Sequence, residues 1–526
     1  MIRTHSILLL LLVASLGASG QERPYTGLEH ALRYTPWQLS FNPAGISHLP
    51  TDSLIEARIG YRQDRQPLSL SDCPERSRQY GASVDGYNRF GRLHLTGGLS
   101  WQQDFRDEVR YNLLLQPDYL VTAGDTLDGT QRVEEYRIYG KAAYRLTPGL
   151  TAGIGADYTA AHNKDDSDEK RFTGNANTTS VTAGLLYECR NLRAGLSAGY
   201  THRTELLTYG STLKERLYTY PLGFYLNMTD FNLPEQGGVM RSTGAGSNYQ
   251  FRGTGNQWLL SAQAEWKVNP ISWFNTLALS RQKQEDNPDK SGNMRGWEER
   301  FTALEYQSRL TISHGRWTHL ISPSLLWKQG LSDRFLQHIN YESLGGAWET
   351  YAMYRLASRT QARAELRYEA IQDYTPGGDR QAWEVAAGWY HHDEKFYCYP
   401  MAISQTTSTL QGTLAYRYTF PLPHSSKLTL LPSFTFQTGY GTEEDISQPA
   451  GTPQTENKLP RSYARVANDY AARTATRLLL GLGAEYRIPV APSTSIGFRL
   501  SGGLERVTGE RSGTEGRIQA GCFCIL

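Results

Sequence analysis

Gln361-Ala362-Arg363-Ala364-Glu365-Leu366-Arg367-Tyr368-Glu369-Ala370 sorts its side chains by parity. Even positions carry Ala, Leu and Tyr, and odd positions carry Gln, Arg and Glu. A period of two belongs to a β-strand, whose successive side chains point to opposite faces. One face of this strand is apolar and the other charged. The same division appears in residues 55–62, with Ile55, Ala57, Ile59 and Tyr61 against Glu56, Arg58, Gly60 and Arg62. It appears again in residues 136–145, where Tyr136, Ile138, Gly140, Ala142 and Tyr144 oppose Arg137, Tyr139, Lys141, Ala143 and Arg145.

Such strands fit a soluble sandwich or a membrane barrel, and the connections between them decide. Short turns are read at Asn88-Arg89-Phe90-Gly91, Leu146-Thr147-Pro148-Gly149, Arg190-Asn191, Ser313-His314-Gly315-Arg316 and Ala357-Ser358-Arg359-Thr360. Between them lie long polar connections near 104–131, 162–178, 285–297, 328–344 and 441–473. Short turns on one side and long loops on the other is the arrangement of an outer-membrane barrel, with the short turns periplasmic. Tyr contributes 33 residues, a composition suited to the aromatic girdles at the two membrane interfaces. The mean hydropathy of −0.52 excludes a bundle of membrane helices but not a barrel, whose alternating strands average to polar.

At the N-terminus Arg3 precedes an apolar run from Ile7 to Leu16, followed by Ala18-Ser19-Gly20. A positive start, a short apolar core and small residues describe a cleaved secretory signal, so the mature chain is expected to begin near Gln21. The run is too short for a membrane helix, which needs about twenty residues. We therefore divide the chain into a signal peptide (1–20), an N-terminal periplasmic or lumenal segment (21–53) and a barrel (54–526). The fold expected is all-β, a transmembrane antiparallel barrel of about 20–22 strands within a range of 14–22. Its final hairpin should pair residues 496–507 with 516–526, because closing the sheet removes its free edges. The Gly-rich stretch 227–256 alternates only weakly.

With its signal peptide, terminal strand and Tyr-rich hairpins, the chain resembles a family of large Bacteroidetes-type outer-membrane barrels of unknown function. A second resemblance is local. Ala31 to Gly45 (ALRYTPWQLSFNPAG) is similar to the N-terminal segment of the long-chain fatty-acid transporters of outer membranes. In those proteins an Asn-Pro-Ala motif belongs to a hatch that plugs the barrel from within. The resemblance implies a hatch at Asn42, Pro43, Ala44 and Gly45. That family has fewer strands than are counted here, so the resemblance implies an inward-folded segment rather than a substrate.

The candidate chemical motifs have plainer readings. Gly195-Leu196-Ser197-Ala198-Gly199 matches the nucleophile elbow of serine hydrolases, but that chemistry needs a strand-to-helix turn, and here the residues continue a strand. Asp165-Asp166-Ser167-Asp168-Glu169 lacks the Gly and the distant Glu of a calcium loop and reads as a solvated loop. His391-His392-Asp393-Glu394 places its imidazoles next to each other rather than on one strand face, which suits a polar strand end better than a metal site. Cys522 and Cys524 share the apolar face of the last strand, while Cys73 is the thiol expected to be exposed. No cofactor, metal or catalytic residue is assigned, and the chain is read as not an enzyme. With 54 basic and 52 acidic residues, no nucleic-acid partner is expected.

The charged faces must turn inward, since a charge facing lipid at mid-depth costs about 2–4 kcal/mol. Arg58, Arg137, Lys141, Arg145, Arg363, Glu365, Arg367, Glu485 and Arg487 are the expected lumen-lining residues. Their mixed signs point to ladders of ion pairs around a wet lumen rather than a filter for one ion sign. The expected partners are outer-membrane lipid, the barrel-assembly machinery during insertion, and a lipoprotein or receptor on the long loops. Passage or uptake of a solute is the leading functional reading. A non-transporting scaffold is the alternative, and an outer-membrane hydrolase resting on Ser197 comes last.

Overall fold

The computed structural model describes residues 35–49, 51–65, 68–70, 73–109, 112–116, 119–124, 129–165, 172–209, 218–221, 226–227, 249–287, 295–340, 347–372, 380–398, 401–447, 459–491, 494–508 and 512–526. The signal peptide, residues 21–34 and the run Asp166–Glu169 lie outside them.

Eighteen strands form one antiparallel sheet. In chain order they are β1 (Ser53–Arg65), β2 (Arg76–Phe90), β3 (Leu93–Val109), β4 (Gly129–Thr147), β5 (Leu150–Asp165), β6 (Phe172–Cys189), β7 (Leu192–Tyr209), β8 (Tyr249–Val268) and β9 (Ile271–Asn287). There follow β10 (Trp297–His314), β11 (Trp317–Asn340), β12 (Ala347–Gln372), β13 (Gln381–Cys398), β14 (Met401–Pro421), β15 (Lys427–Ser447), β16 (Thr476–Ala491), β17 (Thr494–Thr508) and β18 (Gly513–Ile525). Each strand pairs with its sequence neighbours, and β1 closes on β18 from Glu56↔Ile525 to Asp64↔Arg517. Ile55 and Leu526 exchange both backbone hydrogen bonds at the seam, at 3.0 and 2.8 Å. A lipid-embedded sheet has to close in this way, because the bilayer offers no partner for an open edge.

The count falls within 14–22 but below 20–22. Two features account for the difference. Strands β11 and β12 run 24 and 26 residues, longer than an average hairpin arm. The interval between β7 and β8 adds no barrel strand among its described residues: Tyr218–Pro221 instead joins a small separate sheet with Val121–Gly124 and Leu226–Asn227.

Tight turns stand at Pro148-Gly149, Arg190-Asn191 and Gly315-Arg316, within the stretches read as turns, and at Gly91-Arg92, which reaches one residue beyond Asn88–Gly91, of which Asn88 to Phe90 are strand. Ala357–Thr360 is not a turn. It lies inside β12, where Ala357 and Arg359 pair in register with Ser332 and Gly330 of β11. The polar stretch 328–344 is likewise strand as far as Asn340. Here the pairing of the two strands shifts register between Ser332 and Asp333 and again between Leu336 and Gln337, so alternation breaks while the ladder continues. Asp333 holds Arg355 at 2.5 Å and also pairs with Arg300.

The outer surface carries the membrane. Tyr136, Tyr158 and Trp258 form an upper exposed aromatic row, and Tyr144, Tyr187, Trp266 and Trp273 a lower one. Between them Ile138, Ile154, Leu185, Leu196, Leu260 and Leu277 are exposed aliphatics that would be untenable in water as one continuous belt. From Tyr136 to Tyr144 the strand advances about 26 Å at about 3.3 Å per residue, which a tilted strand converts to roughly 20 Å of depth. A transmembrane barrel has an apolar band of about that height.

Leu260→Arg should therefore destabilise the barrel by about 2–4 kcal/mol, and inward-facing Ser83→Arg by less than about 1 kcal/mol. Equilibrium unfolding in lipid vesicles measures both, and equal costs would reverse the inside–outside assignment.

Candidate functional site

Residues 35–49 lie inside the barrel at its short-turn end and are shaped by their own sequence. Pro36 and Pro43 each open a short 3₁₀ turn, Pro36–Leu39 and Pro43–His48. A proline fits this first position because its missing N–H would have no helical partner. Asn42 caps the second turn by accepting the Ala44 N–H at 3.0 Å on Oδ1. Its Nδ2 points the other way, donating to the Leu185 carbonyl at 2.9 Å and to Gln263 Oε1 at 3.0 Å. One side chain thus both shapes the hatch and fastens it to the wall.

The wall is cut to receive it. A Cβ on Gly184 would collide with Asn42 Oδ1, and one on Gly195 would lie 2.7 Å from Asn42 Nδ2 and 2.9 Å from Trp37. On Gly153 it would strike the Ala44 nitrogen. These three glycines occupy inward positions of β6, β7 and β5, next to exposed Leu185, Leu196 and Ile154. Together they form a cradle for residues 42–44.

Trp37, buried beside Leu186 and Phe274, supplies the second anchor. Its indole Nε1–H donates to Glu265 Oε2 at 2.7 Å. That carboxylate also receives Ser272 Oγ at 2.9 Å and Arg193 Nη1 at 3.0 Å. A buried carboxylate with three donors stabilises a docked segment that it would otherwise penalise. At the far end Leu49 packs with Leu54, Tyr87 and Ile525, joining the hatch to the lower rim of the β1–β18 seam.

His48 lies 3.4 Å from Glu188, but Arg193 holds that same carboxylate at 3.5 Å. Burial and the nearby Arg193 charge lower the His48 pKa to about 3. The imidazole is therefore neutral in the docked hatch.

Two further segments turn inward from the long-loop side. In residues 112–116 and 119–124, Leu115 and Gln116 donate backbone N–H groups to Glu205 at 2.5 and 3.3 Å, and the Tyr119 hydroxyl donates to it at 2.8 Å. Leu120 and Val121 donate to fully buried Glu299 at 3.1 and 2.9 Å. Helix α1 (Leu459–Thr474) ends with Arg473 on Glu394 at 3.0 Å and on Gln405 at 2.7 Å, beside Arg359.

The expected lumen residues lie on the inward parity of their strands. Arg58 pairs with Glu56 at 2.7 Å, Arg137 with Asp157 at 2.5 Å, and Glu365 with both Arg363 and Arg367. Glu485 holds Arg487 at 2.8 Å and Arg499 at 2.7 Å. Lys141 runs over Gly155, and Arg145 lies near His48 at the hatch. Asn42, Pro43, Ala44 and Gly45 are buried. The sequence reading missed Trp37, the glycine cradle, Glu265 and the loop anchors. One signal was available: Glu299 sits between inward Trp297 and Phe301, so a buried carboxylate there needs a partner from another segment.

The remaining motifs are structural. Ser197 lies in mid-strand on β7, accepting Gln263 Nε2 at 3.4 Å. Glu394 of the His391–Glu394 cluster is taken by arginines, and among the described residues no group of His, Cys, Asp and Glu is placed to hold a metal. The thiols correct one expectation. Cys73 is half-buried, its N–H bonded to the Leu70 carbonyl at 3.0 Å, and among the described residues the exposed cysteines are Cys189 and Cys522. A local turn folds Cys73 back, whereas Cys189 stands at a tight hairpin.

Residues 43–525 match a family described as of unknown function, DUF6850. No curated protein matches the chain. Among solved structures it is similar to the ferric preacinetobactin receptor BauA from Acinetobacter baumannii, at 10% identity and a TM-score of 0.39, covering 90% of this chain and 80% of that one. The RagAB peptide transporter is similar at 7% identity and a TM-score of 0.40, covering 90% and 86%. A mutant of the monoaromatic hydrocarbon channel TodX is similar at 12% identity and a TM-score of 0.31, covering 95% and 94%.

Gly184→Leu should eject the hatch while leaving the barrel folded. Hydrogen exchange of residues 35–49 is expected to accelerate at least about tenfold, corresponding to about 1.4 kcal/mol, with the strands unchanged. Unchanged exchange would dissolve the cradle. A pH series adds a second check. The docked pKa of His48 lies below its ordinary 6.5, so the undocked state binds the extra proton. Docking is at full strength above pH 6.5 and weakens as the pH falls toward 3, by at most about 1.4 kcal/mol per unit. His48→Phe should flatten that dependence in the same exchange measurement.

Proposed function

Because the chain belongs to DUF6850, a family of unknown function, its activity has to be read from its own geometry, and we propose that it is a solute-transport barrel of a bacterial outer membrane with residues 35–49 as its hatch. The observation that carries this reading is a separately fastened segment inside a barrel too wide to be filled by its own side chains. The hatch meets the inner faces of β3–β9 through short, specific contacts. Across the barrel, the inner faces of β14–β18 and β1–β3 border cavities of about 490 and 280 Å³. A structural filler would be expected to pack apolar side chains all around. Here the apolar packing is local to Trp37, Ala44 and Leu49, hydrogen bonds from Asn42 and Trp37 supply the rest of the fastening, and the cavities remain beside it, as suits a part that moves.

Solute would enter past the inward loop 112–124 and helix α1, reach the cavities, and leave at the periplasmic end when the hatch and the Leu49 cluster release. The two long loops that would otherwise recommend a scaffold direct their described anchors inward. Transport is therefore the reading that the geometry supports best.

Planar-bilayer recording tests it. The intact protein should conduct weakly, and a variant lacking residues 35–49 should conduct at least about tenfold more, because removing the hatch opens a water-filled path. If the truncated barrel inserts and still passes no current, the transport reading falls.

A further inference from the structure

We propose that the chamber beside the hatch is an anion site, and that the transported solute carries carboxylate, sulfate or phosphate groups; this rests on the transport reading above. The two cavities share Arg62, Arg499 and Gln519 in their linings and so form one chamber along the seam of the barrel. Arg58, Arg417 and Arg517 also line it, giving five guanidinium groups against the carboxylates of Glu56 and Asp64. The whole chain has a formal charge of only +2, so this excess is local and not a reflection of composition.

Arg62 pairs with Asp64 at 2.5 Å and Arg58 with Glu56 at 2.7 Å, while the carboxylates that hold Arg499 and Arg517 are shared and so maintain the excess. Glu485 serves both Arg487 and Arg499, and Glu505 serves both Arg477 at 2.8 Å and Arg517 at 3.3 Å. One negative charge between two positive ones fixes the geometry of both arginines while leaving a net positive charge. Arg62, Arg499 and Arg517 keep side-chain exposures of 51%, 43% and 43%, so their heads are held at the wall yet face open space. Gly481, Ser501 and Gly503 open that space, since small side chains on neighbouring strands leave the guanidinium groups standing above the wall. Guanidinium groups held in position bind oxyanions through paired N–H donors, and their field within a low-dielectric wall concentrates anions.

Two measurements separate this proposal from the reading it rests on. In the first, the hatch-deleted barrel is recorded under a tenfold KCl gradient. Chloride should permeate at least about threefold better than potassium, and the variant R62Q/R499Q/R517Q should lose the preference while the triple Lys variant keeps it. In the second, Ser501→Cys is placed in full-length protein whose native cysteines are replaced by Ser. A sulfonate-bearing methanethiosulfonate should then react at least about threefold faster than a trimethylammonium one, the ratio converging toward one at high salt. Current without a chloride preference would overturn the anion site and leave transport standing. A thiol bias without current would uphold the anion site and overturn transport. Equal thiol rates, a faster cationic reagent, or no reaction with either would overturn the anion site.

Discussion

Lipid cannot accept a hydrogen bond, and the rest of this molecule follows from that constraint. Backbone groups at membrane depth must find partners in neighbouring strands, so the sheet closes from β1 onto β18. Side chains must sort by parity, apolar outward and charged inward. The inner wall then carries a dense set of charges that water alone does not organise. Two arginines on Glu485 and two on Glu505 are one solution; drawing separate segments of the chain inward is another.

The inward segments use a common device. The hatch reaches Glu265, residues 115–116 and 119–121 reach Glu205 and Glu299, and the end of α1 reaches Glu394. Each target is a buried carboxylate on the inner wall, and each visitor brings N–H, O–H or guanidinium donors. A buried carboxylate with several donors is stable, while the same group abandoned costs several kcal/mol. The inner carboxylates therefore specify where the inward segments dock. The device also sets a scale for release, because a departing hatch has to be replaced at Glu265 by water.

The period-two pattern made the barrel legible because it reports one local fact repeated eighteen times, the two-sidedness of a strand between lipid and water. Turns such as Gly91-Arg92 and the final hairpin were legible for the same local reason. Where β11 and β12 shift register against each other, the parity of each face changes and the pattern that marked the strands fades. That is why Ala357–Thr360 looked like a turn and 328–344 like a loop. The hatch motif Asn42-Pro43-Ala44 was visible as a sequence with its own turn chemistry, but its receptor was not. Gly153, Gly184 and Gly195 are ordinary strand glycines until Asn42 and Trp37 are laid against them.

The charge pattern along each strand carries only part of the balance around the barrel. Mixed signs along each strand suggested balanced ladders, and pairs such as Arg137–Asp157 are of that sort. Balance along a strand does not imply balance around a barrel, because register brings together residues far apart in sequence. Arg62 of β1 faces Gln519 of β18, which faces Ser501 of β17, whose neighbour on β16 is Gly483. No acidic side chain interrupts that row; Asp64 pairs with Arg62 from the next inward position of β1, while Glu485 and Glu505 are each divided between two arginines. The hatch occupies the wall whose buried acid is matched by its own donors, and the chamber occupies the wall where one carboxylate serves two arginines. A single lumen is thus divided into a side built to hold a piece of the chain and a side built to receive an anion.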